Sequence, residues 1–151
     1  MDLITRKDPV LPFISSNYCP KTSIIYIDWT TEVELDEDVI IKGFDFMLDA
    51  ISAHKAQLVL NDNTNFVGYW DTKRFNEYST NVWFPAIIEK NIKKFAHIMS
   101  LDMGGKLAAM RTRRRFNEVN ELTKQKTDRS VDYLVFNKLE DGRNWLLKDL
   151  T

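Results

Sequence analysis

The sequence predicts an α/β protein built on a mostly parallel sheet, with one antiparallel edge strand and flanking helices. Three observations predict it. SIIYIDW (Ser23–Trp29) is a β-branched and aromatic run of strand type. Gln57–Leu60 is short and continuously apolar, the pattern of a strand covered on both faces. Between and beyond these runs lie longer segments with apolar residues at helical spacing, and strands alternating with such helices call for crossover connections.

The elements follow in order. Residues 1–12 carry Pro9 and Pro12 with little periodicity and read as a loose arm. Residues 13–151 read as one domain, with no repeat, low-complexity tract or Gly/Ser linker. Phe13–Tyr18 is a short strand that meets the turn signal Cys19-Pro20-Lys21-Thr22 and pairs with Ser23–Trp29 as an antiparallel hairpin. The acidic stretch Thr30–Asp38 leads into a helix whose stripe is Ile40, Phe44, Met47, Leu48 and Ile51, with Asp36 or Asp38 placed to cap it. After Leu60 the row Asn61-Asp62-Asn63 marks the end of a strand. Asp71 is the expected N-cap of a second helix that buries Phe75, Tyr78, Val82, Ile88 and Ile92. Pro85 removes a backbone donor and predicts a kink near Asn81–Phe84. Lys93–Ser100 is a strand, and Gly104-Gly105 breaks the chain before a long polar helix. Val131–Phe136 is the last strand, and Leu139–Leu150 a closing helix that buries Trp145, Leu146 and Leu150. The predicted order is β-β-α-β-α-β-α-β-α.

Composition excludes several classes. At 151 residues, 44% hydrophobic and 28% charged, the chain has the profile of an ordinary globular domain. No apolar run approaches the ~20 residues of a membrane span, and the first residues show no secretion signal. A single cysteine, Cys19, forms no internal disulfide, which fits a reducing cytoplasm. One cysteine and two histidines are too few for a zinc site of the usual kind, and no metal or cofactor is expected. Net charge is −1, which gives no general attraction to nucleic acid. Its distribution is uneven: residues 1–71 carry 5 Lys and Arg against 12 Asp and Glu, a balance of −7, while residues 72–151 carry 16 against 10, or +6. Segregated in space, these halves would make a charge dipole able to orient a partner or a second copy.

The corner residues carry a resemblance. Trp29 closes the second strand and LVLND (Leu58–Asp62) the third; Trp83-Phe84-Pro85, KKFAHIM (Lys93–Met99) and FNKLE…NWL (Phe136–Leu146) follow in order. In this order and spacing, over roughly residues 13–150, the chain resembles the SpoIIAA-like (STAS-related) family, and within it an uncharacterised Bacteroidetes-type branch. The resemblance implies a STAS-like fold but no known activity. The best-understood relatives carry an Asp-Ser-Ser-Gly tract in which a serine is phosphorylated. Laid over this chain, the tract falls on Asp71-Thr72-Lys73-Arg74, so Thr72 is the position a phospho-switch would use, with Lys73 and Arg74 departing from the pattern. Relatives of this kind also self-associate.

Candidate sites follow. Ligands in open α/β sheets bind beyond the carboxyl ends of the parallel strands, where Trp29, Asn61, Asp62, Asn63, Trp70 and Ser100 would form an aromatic pocket rim with polar groups. The alternative is that Asn and Asp satisfy their own loop in Asx-turns. Trp70, Trp83 and Phe84 would form an interface. His97 reads as a satisfied core residue. Arg111–Arg115 reads as a solvated, internally paired helix rather than a nucleic-acid platform, and Gly104-Gly105-Lys106 lacks the spacing of a phosphate loop. The expected function is a non-enzymatic, cytoplasmic module for protein interaction or regulation, acting on a protein partner or as a homodimer. The alternative is a small-molecule or lipid-type carrier using the aromatic rim. An enzyme with an unrecognised site is the remaining class.

Overall fold

The computed structural model describes residues 2–31 and 33–148. One six-stranded sheet runs in chain order: β1 (Ile4–Lys7), β2 (Ile14–Cys19), β3 (Ile24–Thr30), β4 (Leu58–Asn65), β5 (Lys94–Ile98) and β6 (Asp132–Phe136). The pairings β1–β2 and β2–β3 are antiparallel, and β3 through β6 are parallel. The expected edge strand is therefore interior. The supposed arm supplies the true edge, because Ile4–Lys7 pairs along Ser15–Tyr18. All four β1 residues are exposed, so burial left no apolar signature in that segment.

The parallel strands are joined by α1 (Glu37–His54), by α2 (Lys73–Tyr78) continuing into α3 (Phe84–Glu89), and by α4 (Met103–Thr127); α5 (Leu139–Leu147) closes the described chain. Leu150, the last expected contact of that helix, lies outside the described residues, as does Glu32 of the acidic stretch. The first three connections pack on one face of the sheet, where Ile25, Ile27, Trp29, Val59, Phe95 and Tyr133 meet Phe44, Met47, Phe75, Trp83, Phe84 and Phe116. α5 alone covers the other face, setting Leu146 against Ile24, Leu58, Leu60, Ala96 and Ile98.

Local chemistry explains the boundaries. α1 ends at Lys55 in a left-handed conformation, its N–H reaching back to the Ile51 and Ser52 carbonyls. Thr72, not Asp71, caps α2: its Oγ1 accepts the Phe75 N–H at 3.2 Å. The predicted kink is a π-helical turn, Ser79–Trp83. The N–H of Phe84 bonds the Ser79 carbonyl five residues back, which accommodates the missing donor of Pro85. Gly104 and Gly105 do not break the chain; they lie in the first turn of α4, which Asp102 caps through the Gly105 N–H at 3.2 Å. β4 does not stop at Leu60. It continues to Asn65 because its backbone stays paired to β3 and β5 through Asp62, so the polar row lies inside the strand.

Gly43 marks the tightest contact between α1 and the sheet. A Cβ there would lie 2.7 Å from Cζ3 of the Trp29 indole and closer still to Cη2. Alanine normally favours a helix over glycine by ~1 kcal/mol. Here overpacking against a rigid indole reverses the sign, and Gly43→Ala is expected to destabilise the fold by about 1–3 kcal/mol, read as a lower urea midpoint at unchanged slope.

Candidate functional site

Trp29, Asn61, Asp62, Asn63 and Ser100 all stand toward the carboxyl ends of the parallel strands, and Trp70 lies in the loop that follows β4. They do not form an open pocket rim. Trp29, Trp70, Asn61, Asn63 and Ser100 are all buried. The reason is topological. A crevice opens where neighbouring connections leave for opposite faces of a sheet. Here the connections after β3, β4 and β5 leave for the same face, so the strand ends never part, and aromatic side chains fill the space.

Those side chains form a closed circuit of ring contacts. Trp29 meets Phe66 at 5.6 Å, Phe66 meets Trp70 at 5.1 Å, and Trp70 stacks on His97 at 6.2 Å. The path returns through Tyr133, Phe95, Trp83 and Phe44 to Trp29. Asn61 stands on the sheet floor on this face, in register between Ile27 and His97. Trp83 and Phe84 are core residues, so neither offers a surface to a partner. The expected Trp70–Trp83–Phe84 interface is corrected accordingly.

Asp62 points to the opposite face from Asn61 and Asn63. Its Oδ1 accepts the Thr64 N–H at 3.0 Å and the Thr64 hydroxyl at 2.5 Å, an Asx-turn that satisfies local backbone. Ser100 donates to the Phe66 carbonyl and accepts the Asp102 N–H, tying the loop after β4 to the start of α4. Both residues thus serve the loop. Asn61 and Asn63 behave differently: Asn61 Oδ1, Asn63 Oδ1, His97 Nε2, Trp29 Nε1 and Trp83 Nε1 are buried and find no hydrogen-bond partner among the described residues. Unpaired buried polar atoms are costly and uncommon, and their concentration beside one aromatic circuit is the chief anomaly of the core.

His97 Nδ1 is 3.0 Å from the Tyr133 hydroxyl. Burial holds the imidazole neutral, with its pKa lowered from 6.5 to about 4. Burial likewise raises the Tyr133 hydroxyl above its ordinary value.

A charged network lies between the start of α2 and α4. Asp71 Oδ2 accepts from Arg111 Nη1 and from the Tyr69 hydroxyl, each at 3.0 Å, and its side chain is 8% exposed. Burial alone would raise this carboxyl, but hydrogen bonds from Arg111, Asn76 and Tyr69 outweigh it and hold its pKa below the usual value. Arg115 bonds Ser79 Oγ at 2.7 Å and lies 3.8 Å from Asp71. Trp70 Nε1 donates to Thr112 Oγ1 at 3.0 Å. The arginine run is thereby sorted: Arg111 and Arg115 turn to Asp71, while Arg114 faces solvent beside Glu118. Thr72 spends its hydroxyl on the helix cap and borders a cleft of about 360 Å³ whose other walls include Glu34, Asp36, Glu37 and Tyr69. Carboxylates on that rim would repel a phosphate at Thr72.

The outer face of α4 carries the feature that sequence reading passed over. Leu101 is 72% exposed, Met103 67%, Leu107 49% and Met110 51%. Periodicity had assigned Leu107 and Met110 to the helix, but their side was not readable from spacing alone. The buried side is taken by Gly105, Ala108, Ala109, Thr112 and Phe116, mostly small residues that bring α4 close to its neighbours.

Comparison of the chain with models of protein families, with curated proteins and with solved structures found no match.

The neutral burial of His97 has a measurable consequence. Its pKa is depressed in the folded chain, so the unfolded chain takes up the proton first and stability falls as pH drops from about 6.5 toward 4. The loss from this group approaches ~3 kcal/mol at the acid end. His97→Gln should flatten that part of the stability profile relative to wild type, measured by urea unfolding across the pH range.

Proposed function

We propose that this chain is a non-enzymatic interaction or regulatory module of the SpoIIAA-like type that docks a protein partner on the outer face of α4. The observation that carries the reading is the exposed row Leu101, Met103, Leu107 and Met110. The last three recur at i, i+4 and i+7, one stripe of the helix. Contiguous exposed apolar side chains rimmed by charge mark recognition surfaces, and Lys106 and Arg114 supply that rim. Methionines add a deformable surface that moulds to a partner. The chain-order sheet, with one antiparallel start and three parallel crossovers, supports the family reading.

A second reading, a carrier of a small molecule, draws on the unpaired polar atoms beside the aromatic circuit. Indole N–H donors at Trp29 and Trp83 facing amide and imidazole groups would suit a small uncharged polar guest. Native mass spectrometry of freshly purified protein separates the two readings, since a carrier retains an added mass that denaturation releases.

The interaction reading is tested by the double variant Met103→Asp/Leu107→Asp. Both positions are exposed, so stability should stay within about 0.5 kcal/mol of wild type. Proteins captured from the native host by the wild-type chain, and identified by mass, should be lost by the variant. Capture of the same set by both chains would remove this face from the function.

A further inference from the structure

One exposed ridge of α4 is its own complement when reversed. Met110, Arg114, Glu118 and Leu122 are spaced by four residues and all four are exposed, Met110 at 51% and Leu122 at 59%. Side chains four apart form the ridges by which helices pack. Read forward the ridge is apolar, positive, negative, apolar. Set antiparallel against a second copy, Met110 faces Leu122 of the second copy, Arg114 faces Glu118, and the two reciprocal pairs repeat across a two-fold axis. A shallow, mainly apolar groove of about 810 Å³ runs along these residues, with Arg113, Asn117 and Glu121 at its sides.

We propose that the chain forms an isologous homodimer through this ridge, α4 against α4, with the axis passing midway between Arg114 and Glu118. The proposal rests on the reading of α4 as an interaction surface and names one occupant of it, a second copy. Three further facts support the pairing. The residues on the opposite side of the helix are buried in the chain's own core, so the ridge is the side free to pair. Within one chain Arg114 and Glu118 lie 3.8 Å apart, at 84% and 67% side-chain exposure. A pair so solvated contributes little by itself and loses little on exchanging partners. The flank is complementary too, since Arg111 falls opposite Glu121 of the second copy. Reciprocal self-complementarity of this kind is what a two-fold interface requires. The paired stretch spans 13 residues, or ~20 Å of helix, short of a standard interface. The dimer therefore dissociates on dilution, and Leu101 and Met103, nearer the start of α4, stay available to another partner.

The test is sedimentation equilibrium over a wide concentration range on four proteins, with circular dichroism confirming that each is folded. Wild type is expected to approach twice the monomer mass at high concentration, less so in high salt. Arg114→Glu alone and Glu118→Arg alone each turn two attractive contacts into two repulsive ones and should weaken association at least about tenfold. An equimolar mixture of these two variants should dimerise, because each presents what the other lacks. The double variant Arg114→Glu/Glu118→Arg restores the reversed complement and should dimerise like wild type. Wild type that stays monomeric, association indifferent to both reversals, or a mixture that fails to pair would each overturn the proposal. Failure here combined with loss of partner capture by Met103→Asp/Leu107→Asp would leave the interaction reading standing. Failure of both would remove it.

Discussion

Each strand from β3 onward is placed directly beside the one before it, and each parallel connection of fixed hand returns its helix to the same side. That constraint governs the rest of the molecule. It concentrates α1, the α2–α3 helix and α4 in a single layer over one face and leaves the other to α5. It denies the strand ends the parting that usually makes an α/β ligand site. The space so closed is filled by Trp29, Phe66, Trp70 and Trp83 packed edge to face, an arrangement aromatic rings prefer to direct stacking. The chain's chemistry at that end is therefore turned inward, and its recognition surface has moved to the side of the helical layer.

Much of the architecture was legible in the sequence because burial leaves a period. Ser23–Trp29 and Val131–Phe136 are strands for the reasons their composition suggests, and Ile40, Phe44, Met47 and Ile51 do line α1. Pro85 located its irregularity because a missing N–H is a covalent fact. What stayed hidden lacked such a signal. Ile4–Lys7 forms a strand with every residue exposed, so neither alternation nor apolar content announced it. Asn61 and Asn63 look like loop residues but extend a strand, because the ladder depends on backbone groups that every residue carries. The direction of an aromatic side chain was the hardest matter: Trp70 and Trp83, next to a helix start and a kink, read as surface residues, whereas the topology encloses them.

The charge asymmetry of the sequence has a spatial counterpart in the helical layer. α1 carries four carboxylates and one lysine, while α4 carries seven basic residues and two glutamates. α1 connects β3 to β4 and α4 connects β5 to β6, so the acidic and basic helices occupy opposite sides of the layer. α4 then divides its own charge. Arg111 and Arg115 are committed to Asp71, which anchors the start of α2 against α4. Arg114 is left facing outward. One helix thus serves the core with alanines and a phenylalanine, the neighbouring loop with two guanidiniums, and the outside with methionine and leucine.

The π-helical turn at Ser79–Trp83 places one more residue in its turn than an α-helix would. Removing any single residue there would return the segment to ordinary pitch and rotate everything downstream by about 100°. Phe84, Ile87 and Ile88 would then swing away from the sheet, with polar neighbours taking their place. Evolution can lengthen or shorten the surface loops of such a protein with little penalty, but across these five positions the chain length itself is under selection, and homologues should differ here by substitution and not by gaps.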